Sequence, residues 1–96
     1  MEDFNQFNNY NRINSAVGQL ISSGPGRLGY INIHNAGTAW EVELFDGTSS
    51  AATTTIGVIK GATTPVRFEY DLPFRNGLYV NAEKGTAAGD LIITYK

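Results

Sequence analysis

Few side chains of this sequence could carry out covalent chemistry. His34 is the only histidine, which leaves one candidate general base and excludes a metal site built from several histidines. Glu41 and Glu43 would lie about 6–7 Å apart on one face of a strand, a spacing similar to that of a glycosidase pair. Ser49 and Ser50 are not in a nucleophile elbow, because residues 47–51, GTSSA, fail the G-x-S-x-G pattern at the last position. The solvated face of a strand explains the glutamates more simply, so we predict no catalytic residue and no enzyme.

Two other patterns could bind a ligand. Residues 24–29, GPGRLG, match the letters of the dinucleotide fingerprint G-x-G-x-x-G. That motif places a pyrophosphate at the N-terminus of a helix, whereas these glycines lead into a predicted strand, so we expect no nucleotide. Asp46, Asp71 and Asp90 each lie beside turn residues, where aspartate stabilises turns. A calcium site built from such loops stays open as an alternative, but we predict no metal and no other cofactor.

Composition limits the class of protein. At 96 residues the chain is expected to form one domain with a modest core, and it has no cysteine for a disulfide or a thiolate zinc site. The net charge is −2 and the basic residues are dispersed, so we expect no nucleic-acid partner. No window approaches the roughly 20 apolar residues of a membrane helix, and no signal peptide is visible. We therefore expect a soluble protein without a membrane partner.

Alternation of apolar and polar residues predicts the elements that position these side chains. It is clearest in residues 27–47, RLGYINIHNAGTAWEVELFDG, where the period of two is that of half-buried strands. Residues 35–38, NAGT, supply turn residues that tolerate positive φ. We therefore predict a hairpin here, with His34 as a surface residue at a strand end.

Further short strands follow the same pattern. We predict them at residues 15–22, 56–60, 66–70, 78–82 and 90–95, with a loop or wide hairpin tip at 48–55 and a loop at 71–77, where Pro73 removes a ladder donor and Asn76-Gly77 signals a turn. Turn signals every 8–12 residues or so are typical of a β-sandwich, jelly roll or small barrel. The prediction is an all-β, seven- or eight-stranded antiparallel β-sandwich or jelly roll over residues 15–96.

Residues 1–14, MEDFNQFNNYNRIN, differ from the rest of the chain. Their apolar residues recur every third position and asparagines separate them, a pattern that does not form a helical stripe. We predict an extended N-terminal arm. It could be a loose terminus, fold back over its own domain, or dock on a neighbouring subunit through its aromatic residues.

The aromatic residues of the predicted sandwich divide into core and surface. Trp40 and Phe68 are explained by core packing. Phe74, between Pro73 and Arg75 in a predicted loop, is harder to place in the core and is predicted to contact a partner. The candidate interface residues are therefore Phe4, Phe7, Tyr10, Ile13 and Phe74.

The C-terminal half contains two adjoining motifs, and a third lies upstream. Residues 71–80, DLPFRNGLYV, followed by 85–95, GTAAGDLIITY, match a pattern P-F-x-N-G-L-x-V and then G-T-x-x-G-x-L-x-I-x-Y, and residues 31–39, INIHNAGTA, match its upstream part. In these motifs the chain resembles small all-β structural proteins of tailed bacteriophages. The resemblance implies a capsid decoration (cement) protein or a small head, neck or tail protein that forms a homo-oligomer, commonly a trimer. It has no counterpart for the N-terminal arm.

Two functions are therefore expected. The first is a non-enzymatic virion structural protein that is assembled in the host cytoplasm and binds itself and a major capsid protein or other virion protein. The second is a receptor- or glycan-binding module of a phage fibre or cell surface. Its exposed aromatic and amide side chains would be Phe74, Asn76 and Tyr79.

Overall fold

The computed structural model describes residues 9–35, 37–49, 54–60, 66–85 and 87–96. Within these ranges the chain forms strands and no helix, so the all-β prediction is confirmed. The strands are β1 (Asn9–Ile13), β2 (Gly18–Ser22), β3 (Gly26–Asn35), β4 (Glu41–Phe45), β5 (Thr55–Lys60), β6 (Val66–Phe74), β7 (Leu78–Lys84) and β8 (Asp90–Tyr95).

The strands build two four-stranded sheets in which every neighbouring pair is antiparallel. The first sheet has the order β1-β8-β3-β6, and the second has the order β2-β7-β4-β5. Each sheet therefore joins strands from both ends of the sequence. The strands at the edges are β1 and β6 in the first sheet and β2 and β5 in the second.

One apolar core receives side chains from all eight strands, as expected for a sandwich of two sheets. In β3 the buried apolar side chains are Leu28, Ile31 and Ile33, whereas Tyr30 and Asn32 are only partly covered. The register shift between Leu28 and Tyr30 lets Leu28 share the inner face of the two isoleucines despite the odd spacing. Each fully buried aliphatic side chain contributes on the order of 1.5–3 kcal/mol to folding. The buried core residues are Ile13, Ile21, Leu28, Ile31, Ile33, Trp40, Val42, Leu44, Ile59, Phe74, Leu78, Val80, Ala82, Leu91 and Ile93.

The predicted hairpin over residues 27–47 is wrong. Both strands exist, but β3 belongs to the first sheet and β4 to the second, so residues 37–40 carry the chain across the core. Gly37 and Ala39 have φ angles of 66° and 53°, and Thr38 exchanges backbone hydrogen bonds with Ala87. A connection between two sheets needs the same left-handed residues as a hairpin turn, so the local sequence does not distinguish them.

Part of the predicted arm is a strand of the domain. Residues 9–13 form β1, which pairs with β8 in an unbroken antiparallel register. Tyr10 and Ile13 are three residues apart and so point to opposite faces of the pleat. Ile13 is 1% exposed and lies in the core, whereas Tyr10 is 68% exposed. These residues therefore fold back on their own domain, while residues 1–8 lie outside the described residues.

The predicted loop over residues 71–77 begins too early. Strand β6 continues to Phe74, whose side chain is only 1% exposed and packs in the core. Pro73 is compatible with this strand because β6 lies at a sheet edge, where a missing N–H breaks no ladder. The register with β3 shifts near Asp71, which has a φ of 50°. Phe74 is therefore corrected from a contact residue to a core residue.

Candidate functional site on the outer face of the first sheet

The residues with chemical potential are dispersed. His34 is exposed near the end of β3, and Ser49 is exposed in the connection after β4. Glu41 and Glu43 share Lys84, whose Nζ lies 3.8 Å from Glu41 Oε1 and 3.1 Å from Glu43 Oε2. The hydrogen bond to Glu43 raises the pKa of Lys84. The two carboxylates thus belong to an ion-pair cluster with Lys84 on the outer face of the second sheet.

Asp46 and Asp71 accept hydrogen bonds at separate places in the fold. Asp46 accepts hydrogen bonds from the backbone N–H groups of Arg75 and Asn76, at 2.9 Å and 2.8 Å. Desolvation acts to raise the pKa of Asp46, but these backbone donors outweigh it and lower that pKa. Asp71 accepts a 2.6 Å hydrogen bond from Arg27 Nε. Across the described part of the chain, no group of three or more acidic or histidine side chains could hold a metal ion.

An open cleft lies on the outer face of the first sheet. It has a volume of about 350 Å³ and is lined by Tyr10 of β1, Tyr30 and Asn32 of β3, and Ile92 and Thr94 of β8. These five residues define the tyrosine cleft. Strand alternation places the residues of β3 and β8 there, because they alternate with core residues of those strands. Tyr10 joins them because it is paired with Thr94 in the register of β1 with β8. The cleft therefore exists only because β1, β8 and β3 lie side by side.

Tyr30 forms one side of the cleft and is held from two directions. The guanidinium carbon of Arg67 lies 3.7 Å from the centroid of the Tyr30 ring, a cation–π geometry. Arg67 Nε is in turn 3.1 Å from Glu69 Oε2. The Thr94 hydroxyl accepts a hydrogen bond from the Tyr30 N–H at 2.9 Å and donates to the Tyr30 carbonyl at 3.2 Å. Both the ring and the backbone of Tyr30 are thus fixed before any ligand arrives.

Tyr10 forms the opposite side, on the edge strand. Next to it along β1, Arg12 makes a bidentate ion pair with Asp90, with Nε and Nη2 at 2.9 Å and 2.7 Å from the two carboxylate oxygens. The hydrogen bond from Arg12 lowers the pKa of Asp90 against a smaller opposing effect of desolvation, and the charges of Arg12 and His34 lower it further. The arginines on both sides of the cleft are therefore paired with carboxylates.

The edge strand β1 differs from the other three edges. The register of β6 shifts and the strand contains Pro73, β2 has a shift between Leu20 and Ser22, and the β5 register shifts opposite Leu44 and Phe45. Strand β1 keeps five consecutive pairs with β8. No described residue pairs with the outer edge of β1. Natural proteins interrupt or charge most edge strands, and β1 is the regular one here.

The structure separates the predicted interface residues. Ile13 and Phe74 are buried in the core, Tyr10 is exposed in the cleft, and Phe4 and Phe7 lie outside the described residues. Sequence reasoning missed Tyr30 and Asn32 as site residues. The signal was present, because they alternate with core residues of β3, but it gains meaning only once β1 and β8 are known to be neighbours.

Comparisons of the chain with protein-family models, with curated proteins and with solved structures found no match. Among the described residues, no helix is long and apolar enough to cross a membrane.

Proposed function

We propose that this chain is a non-enzymatic structural protein of a phage virion. It would act as a capsid decoration protein, or another head, neck or tail protein, that associates with its own copies and with a major capsid protein or other virion protein. The resemblance of residues 71–80 and 85–95 to phage structural proteins motivates the assignment to a virion. The observation that carries the binding role is the uninterrupted edge of β1.

The edge of β1 is suited to pairing with another chain. An edge strand presents unpaired N–H and C=O groups, and addition of a strand there satisfies them through main-chain hydrogen bonds. A charged side chain would normally discourage such contact, but Arg12 is already paired with Asp90. Tyr10 on the same strand offers exposed aromatic surface of the kind enriched in interfaces.

Residues Phe4 and Phe7 precede this strand directly in the sequence. We propose that copies contact each other at the β1 edge, and the interface role of these two aromatic residues stays a prediction from the sequence. The phage resemblance implies a homo-oligomer, commonly a trimer. In a closed trimer the interface is heterologous, so the β1 edge of each copy would contact a different surface of the next copy.

The strand order supports a jelly roll, which we propose as the finer description of the sandwich. Strand β1 pairs with β8, β2 with β7, β3 with β6 and β4 with β5. This is the pairing of one long hairpin folded over onto itself, with two further contacts, β3 with β8 and β4 with β7, that join the pairs into sheets. Eight-stranded jelly rolls occur in viral capsid and lectin domains. A fold serves many functions, so this agreement is secondary to the β1 edge.

The proposal is tested by co-sedimentation with tailed-phage shells that lack their decoration protein, combined with light scattering of the free protein. The variant Tyr10→Lys places a lysine on the β1 edge, which is how natural edges avoid pairing. Val58→Lys is the matched control, because Val58 is also exposed and lies on the edge strand β5.

We expect the wild type and Val58→Lys to form oligomers and to sediment with shells, and Tyr10→Lys to stay monomeric and unbound. A wild-type protein that is monomeric at micromolar concentration and stays in the supernatant would contradict the proposal. If the protein forms oligomers that do not sediment with any shell, only the virion assignment would be contradicted.

A further inference from the structure

We propose that the tyrosine cleft binds a neutral pyranose sugar. This goes beyond the structural role and does not depend on it, because the cleft is complete within one copy of the chain. The sequence suggested a different glycan surface, formed by Phe74, Asn76 and Tyr79. Burial removes Phe74 from that surface, and Tyr79 lies on the second sheet.

The size and placement of the cleft suit a single small molecule. Its volume of about 350 Å³ falls at the lower end of the range of about 300–1,000 Å³ for small-molecule sites. It opens on the outer face of three neighbouring strands, so a terminal residue of a longer glycan could enter without a tunnel. A large cofactor would not be enclosed.

Two tyrosine side chains form opposite sides of the cleft. Tyr10 and Tyr30 lie on strands separated only by β8, so their backbones are about 10 Å apart. A pyranose ring has a flat C–H face, which stacks on an aromatic ring, and hydroxyl groups around its edge. Tyrosine provides rigid contact area with little loss of side-chain entropy. Arg67 and the Thr94 hydroxyl hold Tyr30 in place, so stacking there requires little reorganisation.

The side-chain amide of Asn32 lines the cleft and can form hydrogen bonds with a ligand. The Asn32 carboxamide makes no hydrogen bond to the described part of the chain, and it offers two donors and an acceptor oxygen with two lone pairs. Adjacent sugar hydroxyls match such a group. The Thr94 hydroxyl, in contrast, is already bonded to the backbone of Tyr30. A purely apolar ligand would cover the Asn32 amide without giving it a partner.

The charged side chains around the cleft are paired with one another. Arg12 is paired with Asp90 on one side, and Arg67 is paired with Glu69 on the other. A phosphate or carboxylate ligand would have to compete with these carboxylates for the arginines. A quaternary ammonium ligand would likewise find both carboxylates already paired with guanidinium groups. The balance therefore favours an uncharged ligand, and its hydrogen-bonding edge and C–H face identify a sugar.

The test is a two-dimensional NMR titration of backbone amides with the methyl pyranosides of glucose, galactose, mannose and N-acetylglucosamine. Glucose 6-phosphate and sialic acid serve as anionic comparators. We expect at least one neutral pyranoside to cause saturable shifts at millimolar concentration that are confined to β1, β3 and β8. Tyr30→Ala should weaken this binding at least about tenfold, and Asn32→Ala should also weaken it.

Two variants keep the test specific. Tyr79→Ala removes a tyrosine from the outer face of the second sheet and should leave sugar affinity unchanged. Tyr10→Phe keeps the ring and should retain most of the affinity, whereas Tyr10→Ala should lose it. Circular dichroism melting curves confirm that each variant is folded before its titration is interpreted.

Three results would overturn the proposal. One is the absence of saturable shifts on β1, β3 and β8 with every neutral pyranoside. Another is equal loss of affinity in Tyr79→Ala and Tyr30→Ala. The third is tighter binding of the anionic comparators than of any neutral sugar. Sugar binding by a protein that ignores phage shells would leave this inference intact and contradict only the virion role.

Discussion

Aromatic side chains occupy two contrasting regions of this domain. In the core, Trp40 and Phe74 are 5% and 1% exposed, and the Trp40 indole N–H donates a 3.0 Å hydrogen bond to the Ala82 carbonyl. On the outer face of the first sheet, Tyr10 and Tyr30 form the two sides of an open cleft. The inner residues are surrounded by the domain itself, whereas the outer residues keep surface available for a second molecule.

This difference separates stability from binding. Removing an inner aromatic residue leaves a cavity in a packed core, which the surrounding side chains fill only in part. Removing an outer one exposes little new apolar surface and leaves the sheet paired. Substitutions in the core should therefore change the free energy of unfolding, whereas substitutions on the outer face should change self-association and ligand binding.

The largest effect is expected from deleting residues 1–13. The deletion removes β1, exposes one edge of the apolar strand β8, and takes Ile13 out of the core. Loss of Ile13 alone should cost about 2–5 kcal/mol, against a total stability on the order of 5–15 kcal/mol. We expect the truncated protein to be unfolded or to melt far below the wild type in circular dichroism. An unchanged melting curve would show that β1 is not part of the domain.

The next largest effect is expected from replacing a single aromatic residue of the core with alanine. Trp40→Ala and Phe74→Ala should each lower the free energy of unfolding by about 3–5 kcal/mol, measured by urea denaturation. Trp40→Phe is the milder control, since it keeps most of the ring volume. A Phe74→Ala variant within about 0.5 kcal/mol of the wild type would instead support a surface position for Phe74.

Acid should weaken the domain to an intermediate extent. The pKa values of Asp46, Asp71 and Asp90 are lowered in the folded state. A group whose pKa is lower when folded adds stability above its unfolded pKa of about 3.9, and this contribution is lost as pH falls through the folded value. Urea midpoints should therefore fall between neutral pH and about pH 3.

The variant Asp46→Asn assigns part of that acid effect. It should be less stable than the wild type at neutral pH, because an amide oxygen is a weaker acceptor for the backbone N–H groups of Arg75 and Asn76. Its midpoint should then change less between neutral and acidic pH. Parallel pH curves for the two proteins would contradict a lowered pKa at Asp46.

The smallest stability change is expected for Tyr10→Ala. Because the side chain is largely exposed, the free energy of unfolding should stay within about 0.5 kcal/mol of the wild type. The same variant should lose self-association and sugar binding. A loss of stability comparable to that of Phe74→Ala would remove the distinction between the two regions.

Local patterns predicted most strands but not their partners. Alternation identified β3, β4 and the first part of β6, because the period of two is a property of neighbouring residues. Pairing depends on residues far apart in the chain, such as Arg12 and Asp90. The hairpin error and the misplaced Phe74 have this origin, since turn signals and Pro73 were interpreted without knowing which sheet or edge each strand would join.

The candidate site was harder to predict for the same reason. Tyr10 was predicted as an interface residue of the arm, but Tyr30 on the other side of the cleft lies on β3, which is close to β1 only because β8 lies between them. No spacing within the sequence reports that proximity. The alternation of Tyr30 and Asn32 with Ile31 and Ile33 assigned both to the more polar face of the predicted strand, and one strand alone shows no more than this.

The most direct test of the proposed function is sedimentation velocity of the full chain at micromolar concentration, beside Tyr10→Lys. The account predicts a single oligomer, three copies if the phage resemblance holds, that dissociates to monomers when the lysine is present. A wild-type protein that sediments as a monomer, or an oligomer that Tyr10→Lys leaves intact, would contradict contact through the β1 edge.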